Sequence, residues 1–69
     1  MRTLKLKEEY ITLGQLLKAM DFAQDGVDAK YRILNGDASV NGETEKRRGR
    51  KLYDGDIVVI DGESVQVKQ

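Results

Sequence analysis

Five cations fall within six residues at Lys46-Arg47-Arg48-Gly49-Arg50-Lys51, while the rest of this 69-residue chain holds seven basic side chains against twelve acidic ones. Guanidinium forks bind phosphate oxygens bidentately and stack on exposed bases, and lysine adds a compact point charge on a flexible stem. The chain is neutral overall, but a polyanion responds to local charge, within a Debye length of about 8 Å at physiological salt. Nucleic acid is the partner that such a run suits, and Gly49 lets the backbone approach a ligand closely. With roughly four to six phosphates neutralised, affinity would fall with salt on a log–log slope of about −3 to −5. A solvated loop that keeps a neutral protein soluble is the plain alternative, although scattered charges would serve that purpose equally well.

Other chemistry is thinly represented. The chain has no cysteine, histidine, tryptophan or proline, which removes thiolate and imidazole metal sites, cysteine nucleophiles and histidine general bases. An enzyme built from what remains would need a carboxylate pair or lysine chemistry in a pocket, and 69 residues in two layers leave little room for one. No cofactor, metal or small-molecule substrate is expected. Asp54-Gly55-Asp56 and Asp61-Gly62 read as turns, because a calcium loop needs further acids at fixed spacing. The three cations of Met1–Lys7 are followed by Glu8-Glu9 and not by an apolar run, so neither a signal peptide nor a membrane span is expected, and the reading is a cytoplasmic protein. At 35 % charged and 39 % hydrophobic residues, the composition suits one small folded domain over 1–69, expected as a monomer, better than a disordered tail.

The elements that must position the run follow from periodicity. Thr3–Lys7 alternates polar and apolar, which suits a short strand with Leu4 and Leu6 inward. Thr12 and Gln15 form a capping box, with Ile11 placed to staple onto Leu16; Leu13, Leu16, Leu17 and Met20 then share one helical face, with Gln15 and Lys18 pointing away. Asp21–Asp25 is a connection, and Asp25 caps a second helix that runs from Gly26 or Val27 to Asn35 and stops at Gly36. That helix has two apolar sides, one with Val27, Tyr31 and Leu34 and one with Ala29 and Ile33, so contact with both the sheet and the first helix is expected. Lys30 lies between the two sides, an awkward place for a charge, and Arg32 lies outside them. Asn41-Gly42 is a type I′ hairpin turn after Ser39-Val40. Tyr53–Asp56 is a second turn, Ile57–Ile60 a buried strand, Asp61-Gly62 a third turn, and Ser64–Val67 a last alternating strand. The fold class is α+β, a two-helix hairpin packed on a small, mostly antiparallel sheet. Gly14, in the first helical turn, is the one glycine with no turn or helix end to account for it.

Taken in order, Leu13–Lys18, Ala29–Glu43 and Arg47–Ile57 resemble the S4 RNA-binding domain, in the small free-standing bacterial form of the YaaA/YbcJ-like proteins, with the likeness running from about Ile11 to Ile60. Val40-Asn41-Gly42 alone is common; followed by Arg47-Arg48-Gly49-Arg50-Lys51-Leu52 and Gly55-Asp56 it is specific. The resemblance implies a helical pair on a small sheet, the alpha-L motif, that holds structured RNA, ribosomal or ribosome-associated, by its helical face and adjoining loop, with no catalysis. Many members of that family begin the first helix with Arg-Leu-Asp, where this chain has Thr12-Leu13-Gly14.

The expected RNA surface therefore comprises Lys46, Arg47, Arg48, Arg50 and Lys51, with Lys30, Arg32 and Asn41 beside them and Gln15 and Lys18 as outlying members. Lys30 matches a basic position of the family's second helix. Each has a plainer reading: Lys30 and Arg32 as helix-surface charges with snorkelling stems, Asn41 as a turn residue first and an RNA contact second, Gln15 and Lys18 as solvated positions. The aromatics show no interleaved base-stacking pattern, and Tyr53, next to the run, is the one placed to matter. A different class of function, an adaptor that docks its basic loop on an acidic protein surface, stays open.

Overall fold

Helix starts and stops are set by local hydrogen bonding. The computed structural model describes all residues, 1–69. Its elements are β1 (Arg2–Lys5), β2 (Ile11–Thr12), α1 (Leu13–Ala19), α2 (Gly26–Leu34), β3 (Ala38–Val40), β4 (Glu43–Thr44), β5 (Lys51–Leu52), β6 (Ile57–Ile60) and β7 (Glu63–Lys68). Thr12 caps α1 through its hydroxyl, which accepts from the Gln15 N–H, and the Gln15 side chain accepts in return from the Thr12 N–H at 3.0 Å. Asp25 caps α2 by accepting from the Asp28 N–H at 2.9 Å. Both helices end in paired reversed hydrogen bonds, Phe22 to the Leu17 carbonyl and Asp21 to Lys18, then Asp37 to Arg32 and Gly36 to Ile33. The left-handed residue is Asp21 in the first case and Gly36 in the second.

The main sheet runs β1-β7-β6-β3-β4. Its pairs are antiparallel except β1 with β7, which is parallel, with Leu4 opposite Val67. Asn41-Gly42 and Asp61-Gly62 both have positive φ at their two central residues, as type I′ turns require. Val40, Val58 and Val65 stand in one cross-strand row on the face that the helices cover. Against this row and its neighbours pack Leu13, Leu16 and Leu17 of α1 and Ala29 and Ile33 of α2, within one apolar cluster. Each fully buried Leu or Ile is worth roughly 1.5–3 kcal/mol of transfer free energy. No helix is long and apolar enough to cross a membrane.

Two expectations change. Only one side of α2 is core: Ala29 and Ile33 are buried, whereas Val27, Tyr31 and Leu34 are 63 %, 65 % and 52 % exposed. The two apolar sides lie too far apart around the helix for a single contact to cover both, and no third layer exists to take the second. Lys30 therefore borders an open stripe and is not squeezed into an apolar seam. The strand Ile57–Ile60 alternates, with Val58 and Ile60 buried and Val59 exposed, because the helices cover one face of the sheet only. Lys51-Leu52 pairs antiparallel with Ile11-Thr12 in a two-stranded ribbon apart from the main sheet.

Asp25 accepts from the Asp28 N–H, and the Asp28 carboxylate accepts in return from the Gln24 N–H at 2.9 Å, so Asp25 is the side chain that caps an N–H of the first turn of α2. Asp25→Ala should cost about 1 kcal/mol, lowering the thermal midpoint by roughly 4–8 °C for a domain this small, while Asp25→Asn, an equally good cap, should lose little. Thermal unfolding of the two variants beside the parent checks this.

Candidate nucleic-acid interface

The basic run forms most of the connection between β4 and β5, with Lys51 as the first residue of β5, and it is attached to the helical pair at several points. The first two N–H groups of α1 have no acceptor inside their own helix; Leu13 donates to the Arg50 carbonyl and Gly14 to the Arg48 carbonyl, both at 2.9 Å. A β-carbon at Gly14 would meet the loop only in ordinary van der Waals contact, 3.4 Å from the Arg48 carbonyl oxygen and 3.6 Å from the Arg48 Cβ, so the approach does not itself require glycine. At the other end of the run, the Lys46 stem reaches Gly36 at the C-terminus of α2, 3.7 Å from where a β-carbon would stand. The segment thus runs from the C-terminal end of α2, at Lys46, to the start of α1, at Arg48.

Beneath the run sits Glu45, which is 8 % exposed. Its backbone N–H donates to the Ala38 carbonyl, extending the β3–β4 pairing. Its carboxylate accepts from the Arg47 backbone N–H (3.2 Å), Arg47 Nε and Nη2 (3.0 Å each) and Arg50 Nη1 (2.8 Å). The Arg47 hydrogen bond, then that of Arg50, holds its pKa at about 2 against the opposing effect of burial, and the same contact pushes the Arg47 guanidinium up. Five cations against this one carboxylate leave the run with Glu45 at a net charge of +4.

The remaining cations differ in what they touch. Arg48 and Lys46 have no carboxylate partner or side-chain hydrogen bond. Lys51 places Nζ 4.9 Å from the centre of the Tyr10 ring. Arg48 and Gly49 form one wall of an open recess of about 220 Å³, whose other walls are Thr12, Gly14, Gln15 and Lys18 from α1 and Gly26 and Ala29 from α2. Lys30 follows Gly26 by one helical turn on the same flank. Thus the recess brings Gln15, Lys18 and Arg48 together; Lys30 stands one helical turn beyond its Gly26 wall, and Lys46 lies against Gly36 at the C-terminal end of α2. Gln15 has given its carbonyl oxygen to the helix cap, and its amide nitrogen is free to donate.

Arg32 and Asn41 are engaged elsewhere. Arg32 projects from the opposite flank of α2 to Lys30, two residues or about 200° away. Its guanidinium donates to Asp61 twice, to Asp37 at 3.1 Å and to the Phe22 carbonyl at 3.1 Å. The Asp61 hydrogen bond, with smaller help from Asp37, raises the Arg32 pKa, and the same bond to Arg32 lowers that of Asp61. Arg32 thereby ties the end of α2 to the α1–α2 connection and the β6–β7 turn. Asn41 donates to Asp56 at 3.0 Å and accepts from the Ile57 N–H at 2.9 Å, which locks the β3–β4 turn to the start of β6.

Sequence reasoning passed over Glu45, the β2–β5 ribbon and Tyr10. An acid placed two and five residues before arginines was a usable signal for the clasp. Alternation in Tyr10–Leu13 and Arg50–Tyr53 was one for the ribbon, although nothing local says that these two stretches meet.

The sequence matches the family model described as the S4 domain over residues 4–68. It is 48 % identical over 59 residues to the probable ribosome maturation protein RlbA of Bacillus subtilis, covering 86 % of this chain and 83 % of that one. It is 37 % identical over 61 residues to the putative RNA-binding protein YbcJ of Escherichia coli, covering 88 % and 87 %. The solution structure of E. coli YbcJ, reported as an ALFAL motif involved in RNA-binding, superposes with a TM-score of 0.74 at 36 % identity over all of this chain and 89 % of that one.

The clasp has a pH signature. Because Glu45 titrates below its ordinary 4.5 when folded, its contribution to stability is complete above about pH 4.5 and is lost as pH falls toward 2. The thermal midpoint of the parent should therefore exceed that of Glu45→Gln at neutral pH, with the gap narrowing between pH 4.5 and pH 2. Melting curves of both proteins across that range measure it, and a gap independent of pH would contradict the clasp.

Proposed function

The chain belongs to the S4 domain family, and from that premise we propose that it is a non-catalytic module that binds structured RNA of the ribosome or of its assembly intermediates. The observation that carries the reading is the recess between α1, α2 and the basic loop, with unpaired cations on its borders and three glycines in its walls. Glycine walls let a sugar–phosphate backbone approach the protein backbone closely, and the cations supply the charge that phosphates require. The names borne by the relatives, a ribosome maturation protein and an RNA-binding protein, support the choice of RNA and of the ribosomal class.

In this reading Arg48, Lys46, Lys51, Lys30 and Lys18 contact phosphates, and Gln15 donates its free amide to the RNA. Arg47 and Arg50 serve first to hold the loop on Glu45, with their outward donors left for RNA. Arg32 and Asn41 act through the fold. The protein works as a monomer, because one copy carries the whole recess.

Arg48 separates binding from folding, since the loop is held by its carbonyl and not by its side chain. Arg48→Ala should reduce the log–log salt slope for a structured RNA by about 1, and Lys46→Ala with Arg48→Ala by about 2. Thermal midpoints should stay near the parent's, as for exposed substitutions generally. Arg47→Ala should lower affinity and midpoint together. Titrations at several salt concentrations test this. A folded double variant with the parent's affinity and slope would end the assignment of the loop as the binding element.

A further inference from the structure

The ribbon places two distant tyrosines side by side. Its register pairs Ile11 with Leu52 and Thr12 with Lys51, and one step outward it sets Tyr10 opposite Tyr53. Because side chains alternate along a strand, Ile11 and Leu52 turn inward to the core while Tyr10, Thr12, Lys51 and Tyr53 share the outward face. The two rings lie 5.9 Å apart at 50°, a tilted contact within the favourable range for aromatic pairs. Lys51 sits over the Tyr10 ring, close enough for a cation–π attraction. Both tyrosines stay substantially open, Tyr10 at 39 % and Tyr53 at 44 % exposure.

This face continues into the recess. Thr12 and Gln15 line the recess that holds Arg48 and Gly49, and they also line the depression that reaches Glu8, Glu9 and Tyr10. A ligand held by the basic loop therefore has the tyrosine pair within its path.

Resting on the RNA reading above, we propose that the outward face of the β2–β5 ribbon is a stacking platform for an unpaired nucleobase, with Tyr53 as the ring that receives it. Tyr10, covered by Lys51, braces Tyr53, and the Lys51 ammonium faces the backbone that carries the base. The surrounding charge selects a base over a phosphate. Glu8 and Glu9 adjoin Tyr10, and Asp54 and Asp56 follow Tyr53 in the turn. Asp56 accepts from the Tyr53 N–H, and Asp54 from the Gln69 N–H. A phosphate among these carboxylates is repelled, whereas the uncharged face of a base is not, and unpaired bases in loops and bulges are the parts of RNA that aromatic rings read. The recess then holds backbone and the ribbon reads a base, which makes an RNA loop next to a stem a better ligand than the stem alone.

The probes are an RNA hairpin closed by an all-adenosine loop and the same hairpin with abasic riboses in that loop, at one salt concentration. The unaltered protein should bind the adenosine loop about tenfold tighter than the abasic one. Tyr53→Leu, which keeps an apolar cover on the ribbon, should lose that difference, and Tyr53→Phe should keep it. The salt slope of Tyr53→Leu should match the parent's, because no phosphate contact is removed. Equal affinity of the unaltered protein for the two hairpins overturns the platform while leaving the RNA reading intact, and so does discrimination that survives in Tyr53→Leu. Failure to bind either hairpin overturns both. The comparison of the two RNAs with unaltered protein decides the matter even where a variant fails to fold.

Discussion

Two backbone hydrogen bonds, from Leu13 to the Arg50 carbonyl and from Gly14 to the Arg48 carbonyl, hold this structure's distinctive arrangement together. A helix start leaves N–H groups without partners, and here a loop of like-charged residues supplies the acceptors. The loop thereby becomes part of the helix cap, complementing the Thr12–Gln15 box, which satisfies other donors at the same end. Left to electrostatics, five neighbouring cations would spread apart. The carbonyl contacts below and the Glu45 carboxylate behind impose one shape on them.

That shape divides the cations by task. Arg47 and Arg50 converge on one buried carboxylate and form the frame, whereas Lys46 and Arg48 carry charge outward with no internal partner. The same division recurs on α2, where Arg32 is committed to Asp61, Asp37 and a carbonyl while Lys30, on the other flank, is free. Arginine fills the framing positions because its planar fork satisfies several acceptors at once, and the open positions are taken by Lys30, Lys46 and one further arginine, Arg48. The number of positive residues thus overstates the number of contacts available to a polyanion. The proposed face is smaller and better defined than the charge run, and it takes in parts of both helices.

Much of the fold was legible in the sequence because its signals are local. The capping box at Thr12, the cap at Asp25, the stop at Gly36 and the Asn41-Gly42 turn each depend on a few adjacent residues, and each stands where the pattern put it. What was illegible depends on distance or on counting layers. The exposure of Val27, Tyr31 and Leu34 follows from the absence of a third layer, which helical periodicity does not report. The parallel pairing of β1 with β7 joins the two ends of the chain. The Tyr10–Tyr53 pair and the ribbon beneath it arise from residues more than forty positions apart. In the candidate site, the cations were found by composition, but their partition required the position of Glu45, whose carboxylate lies behind the loop and not beside it in any pattern of hydrophobicity. Gly14 lies against Arg48 at distances a β-carbon would tolerate, so neither a turn, a helix end nor that contact accounts for it.

The central claim is that one continuous face, formed by α1, the flank of α2 and the loop, binds RNA. Amide chemical shifts of isotope-labelled protein titrated with a structured RNA hairpin test it most directly, residue by residue and without any substitution. The account predicts shifts at Lys18, Gly26, Lys30, Lys46, Arg48 and Gly49, with Asp37, Asp61 and Glu63 around the Arg32 clasp undisturbed. Shifts centred on Asp37 and Asp61, or none at the recess under saturating RNA, would contradict it.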